Sequence, residues 1–98
     1  MTLPLALSPS AETDLDEASA WYDERMLGLG EVFVRRVDAC LTRIRERPRS
    51  FPTVFGSVRY ARVARFPYGV YFRVQAERIE VVAVWHGRRD PRGWQQRL

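Results

Sequence analysis

The chain predicts an α+β fold: an N-terminal strand, an antiparallel helical hairpin, then a three-stranded antiparallel run that completes a small sheet. Three observations carry it. Apolar residues recur at helical spacing from Ala11 to Ile44. From Val58 to His86 they instead fall into three short runs punctuated by arginines. Charge switches at the same place: residues 1–49 hold seven Arg and nine Asp or Glu, a net of −2, and residues 50–98 hold nine Arg and three acids, a net of +6. An acidic helical half therefore precedes a basic stranded half, and an anionic partner is expected on the second.

Leu3, Leu5 and Leu7 alternate with Pro4 and Ala6, which reads as a short strand. Pro4 cannot donate to a ladder, so the strand belongs at an edge. Ser8-Pro9 opens a helix, with Ser8 as cap and Pro9 in the first helical position. Glu12 and Asp14 follow where the helix dipole favours acids. Ala11, Leu15, Ala18, Tyr22 and Met26 make the apolar stripe. Asp16, Glu17, Asp23 and Glu24 lie mostly off it, and Glu12, Asp16 and Glu17 read as a solvated charge run.

Gly28-Leu29-Gly30 breaks the pattern and predicts a tight connection to a second helix, from about Leu29 to Arg47. Its stripe is Leu29, Val32, Phe33, Val37, Cys40, Leu41 and Ile44. Glu31 and Arg35 sit one turn apart as a favourable pair. Arg43, Arg45 and Arg47 complement the dipole of the last turn, and Pro48 stops the helix. Residues 48–57 read as a loop anchored by Phe51 and Phe55. Strands are expected at Val58–Arg65, Tyr68–Gln75 and Arg78–His86, the last two joined by a hairpin through Ala76. The third run is apolar on both faces and reads as central. Asp90-Pro91 then caps a final short helix or turn carrying Trp94. Residues 1–98 form one domain, with the hairpin packed on one sheet face.

Composition narrows the function. No apolar run approaches the roughly 18–20 residues of a membrane helix, and the N-terminus lacks the basic start and apolar stretch of a signal peptide, so a cytoplasmic protein is expected. The single cysteine, Cys40, occupies an apolar helical position and reads as a small buried hydrophobe. One Cys and one His fall short of a structural zinc site, so no metal is expected. There is no Gly-rich phosphate loop, nucleophile elbow or carboxylate pair, and nothing points to a cofactor or a small-molecule substrate. All sixteen basic residues are Arg, whose forks suit bidentate contacts to phosphate or carboxylate.

The basic half interleaves Arg59, Arg62, Arg65, Arg73, Arg78, Arg88, Arg89 and Arg92 with Tyr60, Tyr68, Tyr71, Phe72, Trp85 and Trp94. Cations for phosphate and rings for stacking are what single-stranded nucleic acid needs. Alternation limits how many share a face: Arg59, Arg65 and Arg73 are the better candidates, and Arg62 points the other way. Arg89, Arg92 and Trp94 extend the candidate target-binding surface. Trp94 also reads as a plug fastening the C-terminus to the helices. His86 is the one side chain whose ordinary titration lies near neutrality. Beside Arg88 it is a candidate general base for attack by an RNA 2′-hydroxyl.

The chain resembles the RelE/ParE superfamily of bacterial toxins from type II toxin–antitoxin modules. The resemblance rests on Ser8-Pro9…Ala11…Asp14-Leu15, Ala18…Tyr22, Gly28-Leu29-Gly30…Phe33 and Ile44…Pro48. Its sharpest parts are Arg65-Phe66-Pro67-Tyr68…Tyr71-Phe72 and Val81…Val84…His86…Arg88-Arg89-Asp90-Pro91…Trp94…Arg97. It implies a small α+β toxin held inactive by a cognate antitoxin protein with an acidic, amphipathic tail. The superfamily acts by two routes, poisoning DNA gyrase or cutting mRNA on the ribosome. The ribonuclease branch places an Arg just after the Tyr that opens the second strand-like run, where this chain has Gly69, and uses a C-terminal Arg and Tyr. Arg88 matches that Arg, but Trp94 stands where the Tyr would fall. The departures favour a ParE-like, non-nucleolytic growth inhibitor acting on gyrase. The alternatives are a RelE-like ribosome-dependent mRNA endonuclease using His86 and Arg88, and a non-toxic degenerate binding module.

Overall fold

A computed structural model describes residues 2–98. The elements run β1 (Leu5–Leu7), α1 (Pro9–Arg25), α2 (Leu29–Glu46), a single 3-10 turn at Pro48–Ser50, β2 (Thr53–Phe55), β3 (Val58–Arg62), β4 (Tyr68–Val74), β5 (Ile79–His86) and α3 (Arg92–Gln95). The five strands form one mixed sheet in the order β1-β5-β4-β3-β2. β1 pairs parallel to β5 and every other pairing is antiparallel. The α+β architecture, the edge position of β1 and the interior position of β5 agree with the sequence. Among the described residues no helix is long and apolar enough to cross a membrane.

The helix boundaries follow from local chemistry. Ser8 Oγ accepts the Ala11 N–H at 3.1 Å with Pro9 in the first turn, a cap contributing about 1 kcal/mol. Gly28, at φ +89°, takes the left-handed conformation that ends the hairpin turn without strain from a side chain. Asp23 Oδ1 then accepts the Gly30 N–H at 2.8 Å and ties the turn to α1.

The hairpin covers one sheet face. Ala11, Ala18, Phe33, Val37, Cys40, Leu41 and Ile44 meet Ala61, Val63, Val70, Phe72, Ile79, Val81 and Val84 there. The expected stripes hold except at their outer ends, where Met26 is 65% and Val32 40% exposed. Asp14, placed by the sequence near the dipole, is instead buried on α1's inner face. The second sheet face carries a smaller cluster of Val58, Val82, Ala83, Trp85 and Trp94. A bulge in β5 lets Val82 and Ala83 both serve it, which is how one strand stays apolar on both sides.

Three expectations need correction. The loop at 48–57 contains a strand, β2, which pairs with β3 around Gly56. Its three residues are all exposed, so they give no alternation to read. β3 stops at Arg62 rather than Arg65, because Arg65 adopts φ +70° in the turn into β4. Trp94 fastens the C-terminus to the sheet face opposite the helices, where its ring stacks on Tyr71 at 4.5 Å. Phe55 packs edge-on against that ring at 5.9 Å, while Phe51 reaches Phe72 in the main core.

Candidate functional site

Two surfaces lie on opposite sides of the sheet. On the helix side, a groove of about 470 Å³ opens between α1 and the end of β5, floored by Ala18, Tyr22, Tyr68 and Val84. β1 pairs with β5 only as far as Val81, so among the described residues the outer edge of β5 beyond it has no strand neighbour. Side chains take the strand's place. Asp14 Oδ2 accepts the Val84 N–H at 3.1 Å, and Arg97 Nη1 donates to the Val82 carbonyl at 3.0 Å. The two close on each other as a fork, Nη1 to Oδ2 at 2.7 Å and Nη2 to Oδ1 at 2.8 Å. That hydrogen bonding raises the Arg97 pKa above its ordinary value.

His86 faces this groove, edge-on to Tyr68 at 5.1 Å. Its Nδ1 accepts the Arg88 N–H at 3.0 Å, which leaves Nε2 as the proton-bearing nitrogen of the neutral ring. Burial raises the pKa of Tyr22 and is the main cause of the rise at Tyr68, so both phenols present O–H groups at neutral pH. Arg89 stands at the groove mouth with its guanidinium 3.7 Å over the Trp85 ring. A stacked guanidinium keeps its in-plane N–H groups for a carboxylate or phosphate.

The other face carries the aromatic ladder. Tyr60 and Tyr71 sit across from each other on β3 and β4 with ring centroids 5.2 Å apart, and Trp94 continues the row. Burial, then the neighbouring Tyr60, raises the Tyr71 pKa. Gly69 lies beneath Tyr60: a Cβ there would run into the Tyr60 ring. Hollows flank the tyrosine pair, one near Arg62 and Arg88, the other against Val54, Pro91 and Trp94.

The arginines anticipated from sequence divide sharply. Arg59 donates to the Phe51 carbonyl at 2.6 Å and holds the 3-10 segment. Arg73 is paired with Glu80 at 2.5 Å, and Arg92 with Asp90 at 2.6 Å. Arg65 stands exposed in the β3–β4 turn. Trp94 is buried at 1% exposure, its indole N–H without an acceptor among the described residues. His86 and Arg88, the catalytic candidates under the endonuclease alternative, line two hollows that adjoin at Pro67 and Tyr68. Sequence reasoning passed over Arg62, which alternation places on the open face because Ala61 and Val63 point into the helix-side core. It also passed over Arg97 and Asp14, whose meeting across 83 residues leaves no local signal. Among the described residues no cluster of His, Cys, Asp and Glu is placed to hold a metal.

Most of the chain matches known proteins. The family described as ParE toxin of type II toxin-antitoxin system, parDE, matches residues 5–91. Toxin ParE2 of Mycobacterium tuberculosis, from strain CDC 1551 and from strain H37Rv, is 33% identical over 92 residues, covering 93% of this chain and 88% of the relative. The solved chromosomal ParDE toxin–antitoxin system from P. aeruginosa contains a chain with the same fold. It superposes at a TM-score of 0.78 with 18% identity, covering 86% of this chain and 95% of that one.

Proposed function

We propose a mode of action on the premise that the chain belongs to the ParE toxin family of type II toxin–antitoxin systems: it arrests growth by binding DNA gyrase, and a cognate antitoxin neutralises it. The observation that carries the non-nucleolytic reading is the packing at Gly69. The ribonuclease branch needs an Arg there as a phosphate clamp. Here the Tyr60 ring occupies the space above the glycine, and even a Cβ does not fit. Gyrase inhibition by binding asks for no proton transfer, only a complementary surface.

The antitoxin's acidic, amphipathic tail fits the helix-side groove. Tyr22, Tyr68 and Trp21 offer apolar wall for its hydrophobic residues. Arg89 offers a guanidinium to its carboxylates at the rim. Such a tail would order as it binds. The cytoplasm, where gyrase works, is the compartment this reading requires.

The test pairs two purified assays. Excess chain added to gyrase is expected to block supercoiling or trap cleaved DNA, while a translation extract leaves its transcripts whole. Cut transcripts with normal supercoiling would move the protein to the ribonuclease branch. Growth unaffected by induced expression would instead favour the degenerate module.

A further inference from the structure

The groove between α1 and the end of β5 is more than an apolar wall: it gathers hydrogen-bond donors. Tyr68 stands at the centre, edge-on to His86 at 5.1 Å and to Tyr22 at 6.1 Å. Burial acts most on its phenol, and Tyr22, Arg89 and Asp14 follow, so all three lie within electrostatic reach of that oxygen. His86 gives its Nδ1 to the Arg88 N–H and so keeps Nε2–H for the groove it lines. Arg89 lies flat on Trp85, and among the described residues it joins no ion pair. Tyr22, Tyr68, His86 and Arg89 come from α1, β4, β5 and the turn after it, so no one stretch of sequence carries a motif for them.

Charge decides what these donors accept. Both Asp14 oxygens are already taken, by Arg97 and by the Val84 N–H. Glu17 borders the adjoining hollow with Arg97, whose pKa it helps raise after the larger effect of Asp14. Among the described residues Arg89 is left as the one arginine lining this hollow, and its guanidinium fork matches a carboxylate with two parallel bonds. A dianion fits worse, because one cation does not balance it and Glu17 repels the second charge. Size and shape decide the rest. The hollow, of about 470 Å³, lies within the roughly 300–1,000 Å³ of small-molecule sites. Trp21 and Tyr22 wall it on α1, Tyr68 walls it on the sheet, and Ala18 and Val84 close the bottom. Aromatic walls of that kind take a flat ring.

We propose that this hollow binds a small aromatic carboxylate, with the ring between Tyr22 and Tyr68 and the carboxylate on Arg89, beside the Tyr68 hydroxyl and His86 Nε2. The acid occupies the place given above to the antitoxin's tail and so competes with it. Its binding is measured on the chain alone, so failure here would leave the antitoxin and gyrase readings standing.

The experiment titrates naphthoate into the purified full chain at neutral pH and follows the indole N–H resonances of the tryptophans. The expected result is a saturable shift at Trp21 with a dissociation constant of about 1 mM or tighter, while Trp94, on the other sheet face, stays fixed. Naphthamide keeps the ring and removes the charge, and naphthyl phosphate keeps the ring and adds charge. Both should bind about tenfold more weakly than naphthoate. Arg89→Gln should weaken naphthoate about tenfold and Tyr68→Phe about threefold. Arg45→Gln removes the same charge from the exposed side of α2 and should leave the affinity near wild type. No saturable shift at Trp21 up to about 10 mM naphthoate would overturn the proposal. So would equal binding of the amide, which means an apolar slot without an anion site, or tighter binding of the phosphate. An Arg45→Gln loss as large as that of Arg89→Gln would overturn it too, since it means diffuse attraction. The analogue comparisons use the wild-type chain, so they decide the matter if Tyr68→Phe disturbs the fold.

Discussion

The two faces of this sheet are built on different terms. The helix face buries a continuous aliphatic and aromatic core, and Asp14, the one buried charge among the described residues, is closed by a two-pronged pair with Arg97. The open face has a cluster of five buried residues, roofed only by the short α3, and the rest is rings and arginines. Burial is concentrated on the first face, while the second leaves arginines and tyrosines in contact with water. The tyrosines of the open face therefore stay partly wet, whereas Tyr22, Phe33, Phe66 and Tyr68 pack against one another under the hairpin, edge to face except for the tilted Tyr22–Phe33 pair.

The largest test of that contrast compares one deletion on each face. Phe33 has no exposed surface and touches Tyr22, Phe66 and Tyr68, so Phe33→Ala should destabilise by about 4 kcal/mol, within the usual range for a buried aromatic. Trp94 is as well buried, but only a four-residue helix holds it, and the cavity it leaves can collapse or flood. Trp94→Ala should cost about 3 kcal/mol and keep the helix-side aromatic signals of near-ultraviolet dichroism. Urea midpoints decide it. A Trp94→Ala loss exceeding that of Phe33→Ala would reverse the ranking of the faces.

Next in size is the link between them. Arg97 sits three residues beyond Trp94 and grips Asp14 on the far side of the β5 edge, so it clamps the roof of one face to the core of the other. Asp14→Asn keeps an acceptor for the Val84 N–H and leaves a partly buried guanidinium without its counter-charge. Removing one partner of a buried pair costs about 3 kcal/mol or more. Arg97 keeps some access to water, so about 2 kcal/mol is the expected loss. The double change Asp14→Asn with Arg97→Gln should recover part of it, and strictly additive losses would show that the clamp carries no coupling.

What was legible in the chain follows the same division. Both helices, their caps and three of the four strands after them were readable because the helix face repeats its apolar residues with a fixed period. β2 was not, because Thr53, Val54 and Phe55 are all exposed and alternate nothing. The family could be read from ordered landmarks such as Arg65-Phe66-Pro67-Tyr68. The candidate site was much less legible. Sequence shows that arginines and rings are interleaved, but not which guanidiniums find carboxylates. Arg59, Arg73 and Arg92, chosen from sequence, are held by Phe51, Glu80 and Asp90. Arg62, set aside, is free. Strand registry and turn geometry make that selection, and neither is written locally.

Gly69 probes the open face alone. A methyl group there meets the Tyr60 ring, so Gly69→Ala should cost about 1 kcal/mol even though alanine would otherwise stiffen a strand. In a Tyr60→Ala background the obstruction is gone and the same change should be neutral or stabilising. A double-mutant cycle by chemical denaturation measures the difference. Equal costs in both backgrounds would mean that Tyr60 moves aside freely, and that the flat ring surface is not fixed by the glycine.

The smallest effect is confined to the roof. Asp90 takes the Arg92 guanidinium on both carboxylate oxygens and also accepts the Arg92 N–H at 3.0 Å, at the start of α3. The Arg92 side chain first, and its backbone N–H second, hold the Asp90 carboxyl below its ordinary value. A group depressed in the folded state contributes stability above its unfolded pKa, near 4, and loses it as pH falls through the lower folded value. The carboxylate is exposed, so α3 should loosen in acid without the domain unfolding. The Trp94 indole N–H resonance reports on this directly. It should stay constant from pH 7 to 5 and shift below about pH 4, while the methyl resonances of Val37 and Ile44 stay fixed. In Asp90→Asn the shift should be absent and the Trp94 resonance displaced at every pH. A Trp94 signal unchanged down to pH 2 in the wild-type chain would mean that the ring stack on Tyr71 holds the roof unaided, and that the open face has a firmer core than its size implies.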